Sequence, residues 1–402
     1  MPCLQPSTQP GKVIMINPAQ RMQPFSAHFF AERQRKLNQL QARGCDVIRL
    51  DVGSPDLPPH DAIIQALSHS AALPDRHGYQ PHNGPPALRA AWAEMYRRLY
   101  RVDLDSTREI TPLLGSKEGI FNLSMALLDP GDVALIPDPG YITYTRGAQF
   151  AGARAYYFPL LEAKHFLPDL QSIPSEIAFQ AKILWLNYPN NPTSAVAGME
   201  FFKQAVDFAR EHDLLLCHDA AYSQVTYSGV PAPSVLQVPG AKSVAVEFNS
   251  LSKSHNMAGW RVAAALGNQD ALQALYRLKT NLDSGHFLPV MEAAIQAMNG
   301  DQEWLVARNQ VYRRRRDIVL EGLSMLGLKG YSFDATLYVW SPVPEGWDSV
   351  AFSEMVLETA NISLTPGNVF GKRGEGYMRI SLSTPEKRLE QAMQRMARRL
   401  RL

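Results

Sequence analysis

The stretch "FNSLSKSHNMAGWRVAAALGN", residues 248 to 268, sets Lys253 among Ser250, Ser252 and Ser254, with Arg261 eight positions on. A lysine held near cations and out of bulk water has its neutral amine favoured, and a neutral amine can form a Schiff base with a carbonyl. The hydroxyl of Ser250 and the guanidinium of Arg261 would hold an anionic phosphate between them. Weaker signals stand elsewhere. In "TPLLGSKEGIFNLSMALLDPGD", Gly115, Ser116 and Lys117 lie where a helical pattern begins. The free amides of such a start bind phosphate, although Ser116 taken alone reads more readily as a plain N-cap. Asp219 ends the apolar run "LLLCHD", where a buried carboxylate needs a cationic or hydrogen-bonding partner, and Tyr222 follows three residues later. Asn191 lies in "YPNNPTS", where turn chemistry alone explains it.

The elements that must position these residues are legible as an alternation. Short β-rich runs ("DVALIP" at 132–137, "ARAYYF" at 153–158, "KILWLN" at 182–187, "LLLCHD" at 214–219, "SVAVEFN" at 243–249, "RVAAALG" at 261–267) recur between longer helical patterns. This predicts an α/β layer with a mostly parallel sheet. Several runs end at a polar cluster, and ligands of open α/β sheets bind beyond the carboxyl ends of strands, so the clusters are expected to converge.

From about residue 289 the character changes to long amphipathic helical patterns, 290–328 and 385–401, bracketing the short strands "ATLYVW" and "GYMRISL". The expected organisation is an N-terminal segment at 1–57 that packs with a small domain, a large domain at 58–288, and a small α+β domain at 289–402. The N-terminal segment contains "FFAERQRKLNQLQARG", a helix closed by Gly44, then "VIRLDVGSPDLPP", whose Gly and Pro residues stop regular structure.

The 402 residues, 46% hydrophobic and 19% charged, suffice for a sizeable core and about two or three domains. With 40 basic and 38 acidic residues the net charge is +2, so no overall field points to nucleic acid. The run "YRRRRD" at 312–317 is read as a solvated helix face. Cys3, Cys45 and Cys217, odd in number and widely spaced, form neither a disulfide framework nor a zinc cluster. No signal-peptide core or membrane-spanning run is apparent, so a cytoplasmic protein without a structural metal is expected.

The set "GSKEG", "DPGY", "NNPT", "HDAAY", "SLSKSHNMAGWR" and "YMRISL", in this order and spacing, resembles the class I and II aminotransferases of the fold-type I pyridoxal-phosphate enzymes, over roughly residues 28 to 395. "GSKEGI" and "KTNLDSGHF" most resemble the LL-diaminopimelate aminotransferase branch. The resemblance implies a large domain with a seven-stranded, mostly parallel sheet and a smaller α+β domain. It implies that Lys253 bonds covalently to pyridoxal 5′-phosphate and moves the proton between substrate Cα and cofactor C4′. Asp219 would pair with the ring nitrogen, Tyr222 and Asn191 would hydrogen-bond the ring hydroxyl oxygen, and Tyr141 of "DPGY" would stack on the ring. Ser116, Lys117, Ser250 and Arg261 would hold the phosphate, together with Tyr79 from a neighbouring subunit. Arg379 would clamp the substrate α-carboxylate, with the Gly53 backbone close by. The implied activity is amino transfer from an amino acid to a 2-oxo acid, in a homodimer with shared sites.

The same set also serves lyases, cyclases and oxidases of this fold, or a non-catalytic binding protein that keeps it. Two departures stand out. Ser194 occupies the place after "NPT" where the family commonly has glycine, and His82 occupies the place where the diaminopimelate branch carries a glutamate that reads the distal ammonium. His82 and Lys117 are therefore expected to bear on substrate choice. Phe25, His28 and Phe29 are read as site cover or as core.

Overall fold

The computed structural model describes residues 17–22 and 29–400. They fall into two compact units, Met1–Gly44 and Cys45–Leu402. In the first, the helix Phe29–Ala42 is rich in strong helix formers and closes at Gly44, whose φ of +80° is the left-handed turn that favours glycine.

In the second unit twelve strands follow the chain: β1 Ile48–Arg49, β2 Ile110–Leu113, β3 Val133–Asp138, β4 Arg154–Pro159, β5 Ala181–Asn187, β6 Leu215–Asp219, β7 Ala245–Ser250, β8 Ala263–Gly267, β9 Tyr338–Pro342, β10 Ile362–Ser363, β11 Thr365–Pro366 and β12 Tyr377–Ser381. Seven form one sheet in the order β2-β8-β7-β6-β5-β3-β4. Only β8 runs against its neighbours, pairing antiparallel with both β2 and β7. Strands β3, β7 and β8 are buried at every residue, and β3 and β8 accordingly read as nearly unbroken apolar runs rather than as alternation. The six runs picked out of the sequence match β3 to β8 within two residues at each end. Strand β2, with Pro112 inside it, was taken as part of the approach to a helix. An edge strand tolerates that proline because one of its sides needs no ladder donor.

A second sheet, β11-β12-β9, is antiparallel, while β1 pairs parallel with β10. Ile48 and Leu50 thereby enter the core formed by Val319, Leu323, Val356 and Met393. The pattern 290–328 is two helices, Leu288–Asn299 and Glu303–Met325, broken at Gly300. The first buries Met291, Ala294 and Met298 in the same core as Ile63, Leu88 and Met95.

The "YRRRRD" run is not uniformly solvated. Arg313 and Arg314 are exposed, whereas Arg315 is buried and donates to both carboxylate oxygens of Asp56 at 2.7 and 3.0 Å. Arg316 lies 4.8 Å over the Tyr227 ring. The Arg315–Asp56 pair anchors the "DVGSPD" turn, which carries Gly53 towards the site. Arg315 is buried while Asp56 reaches solvent, so losing Asp56 would strand the guanidinium charge.

Candidate functional site

Lys253 sits on a single helical turn, Leu251–Ser254, directly after β7. Ser250 caps that turn by accepting the Ser252 amide at 3.2 Å. The Lys253 ammonium is half-buried and donates to the Gly53 carbonyl at 2.5 Å. Burial, and then the guanidiniums of Arg379 and Arg261, bring its pKa down to about 8. Its backbone carbonyl accepts from the buried Arg308 at 2.6 Å, which fixes the turn from the side of the long helix Glu303–Met325.

Around that amine the strand ends converge. Asp219, the last residue of β6, accepts from the Tyr144 hydroxyl at 2.8 Å and the Ala221 amide at 3.3 Å. Burial raises its pKa against those hydrogen bonds. The Tyr222 and Tyr338 hydroxyls lie 2.9 Å apart, and Tyr338 reaches the Gly53 carbonyl at 3.4 Å. Gly53 has no room for a side chain there, since a Cβ would stand 2.6 Å from the Tyr338 hydroxyl. Arg379, on β12, is buried and sandwiched 4.2 Å over Tyr338 and 4.8 Å over Phe370. One of its terminal nitrogens donates to Asn191 Oδ1 at 2.8 Å, the other to the Asp51 carbonyl at 3.1 Å, and its Nε is buried without a partner. Asn191 is positioned through Asn187, whose side chain receives the Asn191 amide at 2.8 Å and donates to the Asp219 carbonyl at 2.7 Å. Tyr141 packs edge-on against Tyr144, with ring centroids 5.7 Å apart.

The phosphate-type cluster differs from the sequence reading in one respect. The N-cap of the helix Ser116–Leu127 is Gly115, at φ +86°, and Ser116 is already the first helical residue. Its hydroxyl is therefore not a cap, and the helix start presents amides and a hydroxyl together. A Cβ on Gly115 would collide with the Arg261 guanidinium, so the missing side chain is what lets Arg261 lie against the helix start. Lys117 is exposed at the same end. The departure at Ser194 also has an account. Its φ of +65° is the conformation glycine usually takes, and its hydroxyl donates to the Tyr338 carbonyl at 2.7 Å and sits 2.7 Å from Thr336 Oγ1. Those contacts offset the backbone strain.

Not every expected residue is at this centre. Tyr79 is 94% exposed, and His82 is half-buried in a separate cleft with Leu114, Val262, Lys279 and His286. Phe25 and His28 lie outside the described residues, and Phe29 begins the helix of the N-terminal unit. Conversely, Tyr144, Tyr338, Asn187 and Arg308 touch the centre without having been singled out. Tyr144 recurs three residues after Tyr141 at the start of a helix, a spacing that puts both on one face. The others carry no local signal.

The chain matches the family description "Aminotransferase class I and II" over residues 45–396. It is 48% identical to an LL-diaminopimelate aminotransferase of Moorella thermoacetica, over 94% of this chain and 97% of that one. It is 45% identical to the enzyme of the same name from Aquifex aeolicus, over 95% and 99%. Among solved structures it is similar to substrate-bound BacF from Bacillus subtilis, with a TM-score of 0.92 and 35% identity over 96% of this chain and 98% of that one.

Proposed function

The chain belongs to the class I and II aminotransferases, and from that premise we propose that Lys253 is the group through which it passes the amino group of an amino acid to a 2-oxo acid. The observation that carries this reading is the convergence of a lysine amine just after β7, a buried carboxylate at the end of β6 and a buried arginine within β12. The residues present fit pyridoxal phosphate. Asp219 is a buried carboxylate bonded only to neutral donors, and among the described residues it forms no ion pair, which leaves a place for a protonated ring nitrogen. When bound, the cofactor supplies an aldehyde that captures amines and a ring that accepts the electron pair left as substrate Cα loses its proton.

The rest belongs to the chain. Lys253 holds and moves the proton at Cα. Asp219 keeps the ring nitrogen protonated, with Tyr144 orienting its carboxylate. Tyr222 and Asn191 donate to the ring hydroxyl oxygen, and Tyr141 covers the ring face. Ser116, Lys117, Ser250 and Arg261 bind the phosphate at the helix start. Arg379 and the Gly53 backbone hold the substrate α-carboxylate. Residues 58–288 would act as the large domain and 289–402 as the small one, with 1–57 attached to the latter.

Borohydride reduction of the cofactor-loaded protein should fix the cofactor on the peptide carrying Lys253. Only the neutral amine attacks the aldehyde, so capture by the cofactor-free protein should accelerate as pH rises through about 8 and level off above it. Trapping on another lysine would remove the assignment.

The exposed Tyr79 supports a homodimer in which that ring reaches the partner's phosphate site. Mixing inactive Lys253→Ala chains with inactive Tyr79→Phe chains should then recover part of the activity, because one site of each heterodimer collects both intact residues. A fully active monomer in sedimentation would contradict it.

The names of the relatives make LL-diaminopimelate the first candidate donor. Its distal end carries an ammonium and a carboxylate, and an unpaired charge in the site costs several kcal/mol, or about 100-fold or more in efficiency. Carried with Tyr79 to the partner's site in that homodimer, His82 would not pair with an ammonium as a glutamate does, whereas Lys117 suits a carboxylate. We therefore propose a donor without a distal ammonium. Catalytic efficiencies across apolar, aromatic and acidic amino acids should exceed that for LL-diaminopimelate, and His82→Glu should narrow the gap. A wide wild-type preference for LL-diaminopimelate would overturn this.

A further inference from the structure

Strand β6 carries His218 and Asp219 side by side, so their side chains leave opposite faces of the sheet. Asp219 faces the site, and His218 is wholly buried behind it. His218 Nδ1 lies 2.8 Å from Glu247 Oε2, and Nε2 lies 2.9 Å from the Tyr188 carbonyl. A carbonyl only accepts, so Nε2 carries a proton. Glu247 also receives the Tyr96 hydroxyl at 2.6 Å, the Ser234 hydroxyl at 2.9 Å and the Val235 amide at 3.0 Å. Three other donors on Glu247 match a carboxylate, and opposite a carboxylate Nδ1 is a donor as well. A histidine that donates from both nitrogens is an imidazolium.

The groups facing it come from several elements. Strand β7 offers Glu247, the chain after β5 offers the Tyr188 carbonyl, and the helix Pro86–Tyr100 offers Tyr96 through Glu247. The helix Met199–Glu211 offers the Phe202 ring, its centroid 4.7 Å away, which packs without supplying a proton acceptor. On β6 itself the adjacent charge is Asp219.

A fully buried ion pair is a poor source of stability, because well-packed apolar residues do as well, so its place directly behind the site calls for another role. We propose that His218, held as an imidazolium between Glu247 and the Tyr188 carbonyl, is a positioning residue with two effects on the site. By clamping the Tyr188 carbonyl it fixes the turn from Asn187 to Asn191, and by its charge it keeps the Asp219 carboxylate ionised where burial would otherwise neutralise it. The first effect follows the bonds already described, since Asn187 holds both the Asn191 amide and the Asp219 carbonyl. The second agrees with the balance at Asp219, where burial raises the pKa and the charge of His218 is among the interactions that oppose it. The consequence for the cofactor rests on the role proposed for Asp219. The charge state of His218 does not.

The test is nitrogen NMR of histidine-labelled, cofactor-loaded protein. Both ring nitrogens of one histidine should be protonated near neutral pH. An unprotonated ring nitrogen on His218 near neutrality would overturn the proposal even with trapping on Lys253 intact. Glu247→Gln keeps a hydrogen-bonding partner but removes the anion. It should weaken pyridoxal phosphate binding about 10- to 100-fold and shift the pH dependence of the cofactor's visible band. Where that variant does not fold, His218→Gln serves, since it can still donate to Tyr188 but carries no charge. Unchanged cofactor affinity and an unchanged visible band in the folded variant would sink the effect on Asp219.

Discussion

Lys253→Ala is expected to lower transamination by about 10⁴-fold or more, while the protein still binds pyridoxal phosphate through its phosphate contacts. The size of the loss follows from what surrounds the amine. The nearest hydroxyls that might take over proton movement are those of Tyr222 and Tyr338, 2.9 Å apart. Burial pushes the Tyr222 phenol well above its ordinary pKa, so it stays protonated and accepts no proton at neutral pH. Arg379 and Arg261 are cations and donate only. Asp219 is on the wrong side of the task, engaged by Tyr144 and the Ala221 amide. Among these described residues none offers a free base, so the loss should appear in kcat with single-turnover amino transfer as the readout. Cofactor affinity, measured by equilibrium dialysis, should fall far less. Retention of more than about one part in a hundred of wild-type turnover would mean that another group moves the proton.

What could be read before the structure, and what could not, divides along physical lines. Asp219 and Arg379 each end or interrupt an apolar run, where an ionisable group announces itself, and Lys253 stands out by the hydroxyls around it. Strands β3 and β8 were legible because burial on both faces leaves a nearly unbroken apolar run, whereas β4 to β7, which carry Arg154, Lys182, His218 and Glu247, were legible from their β-rich composition between helical patterns. Strand β2 was not, because its proline and its place at the sheet edge imitate a turn. Tyr338 and Arg308 escaped notice for a different reason. Their roles come from contacts across long sequence separations, with Gly53 and with the Lys253 carbonyl respectively, and nothing in "ATLYVW" or "VARNQ" marks them as unlike core or surface residues. Ser116 was misread in detail because capping depends on backbone angles. Gly115 at φ +86° moves the cap one residue earlier than residue preference alone suggests. The four arginines of 313–316 look alike in sequence, yet helical periodicity turns Arg315 inward to Asp56 and leaves Arg313 and Arg314 in water.

Arg379 offers the second large effect, and there the substitution that keeps the charge is the informative one. Its guanidinium is held flat between the rings of Tyr338 and Phe370, with its two terminal nitrogens already fixed by Asn191 and the Asp51 carbonyl. A planar, five-donor group in that slot can present a pair of N–H bonds to a carboxylate, whereas an ammonium offers a point charge and packs poorly between rings. Arg379→Lys should therefore lower kcat/KM for every amino acid by about 100- to 1000-fold, corresponding to the roughly 2–5 kcal/mol lost when a buried, hydrogen-bonded charge pair is disrupted. The loss should be common to all donors, since each has an α-carboxylate, and that uniformity separates it from the donor-selective effect expected at His82. Arg379→Met should lose as much and do one thing more. Arg379 is the foremost of the neighbouring charges that hold the Lys253 amine down to about 8, behind burial itself. Without that cation the amine's pKa should rise, and the pH at which the cofactor-free protein captures pyridoxal phosphate should move upward in Arg379→Met but not in Arg379→Lys. If both variants move it equally, or neither does, the field of Arg379 is not what tunes Lys253. If kcat/KM falls for some amino acids and not for others, the residue reads a side chain rather than the α-carboxylate.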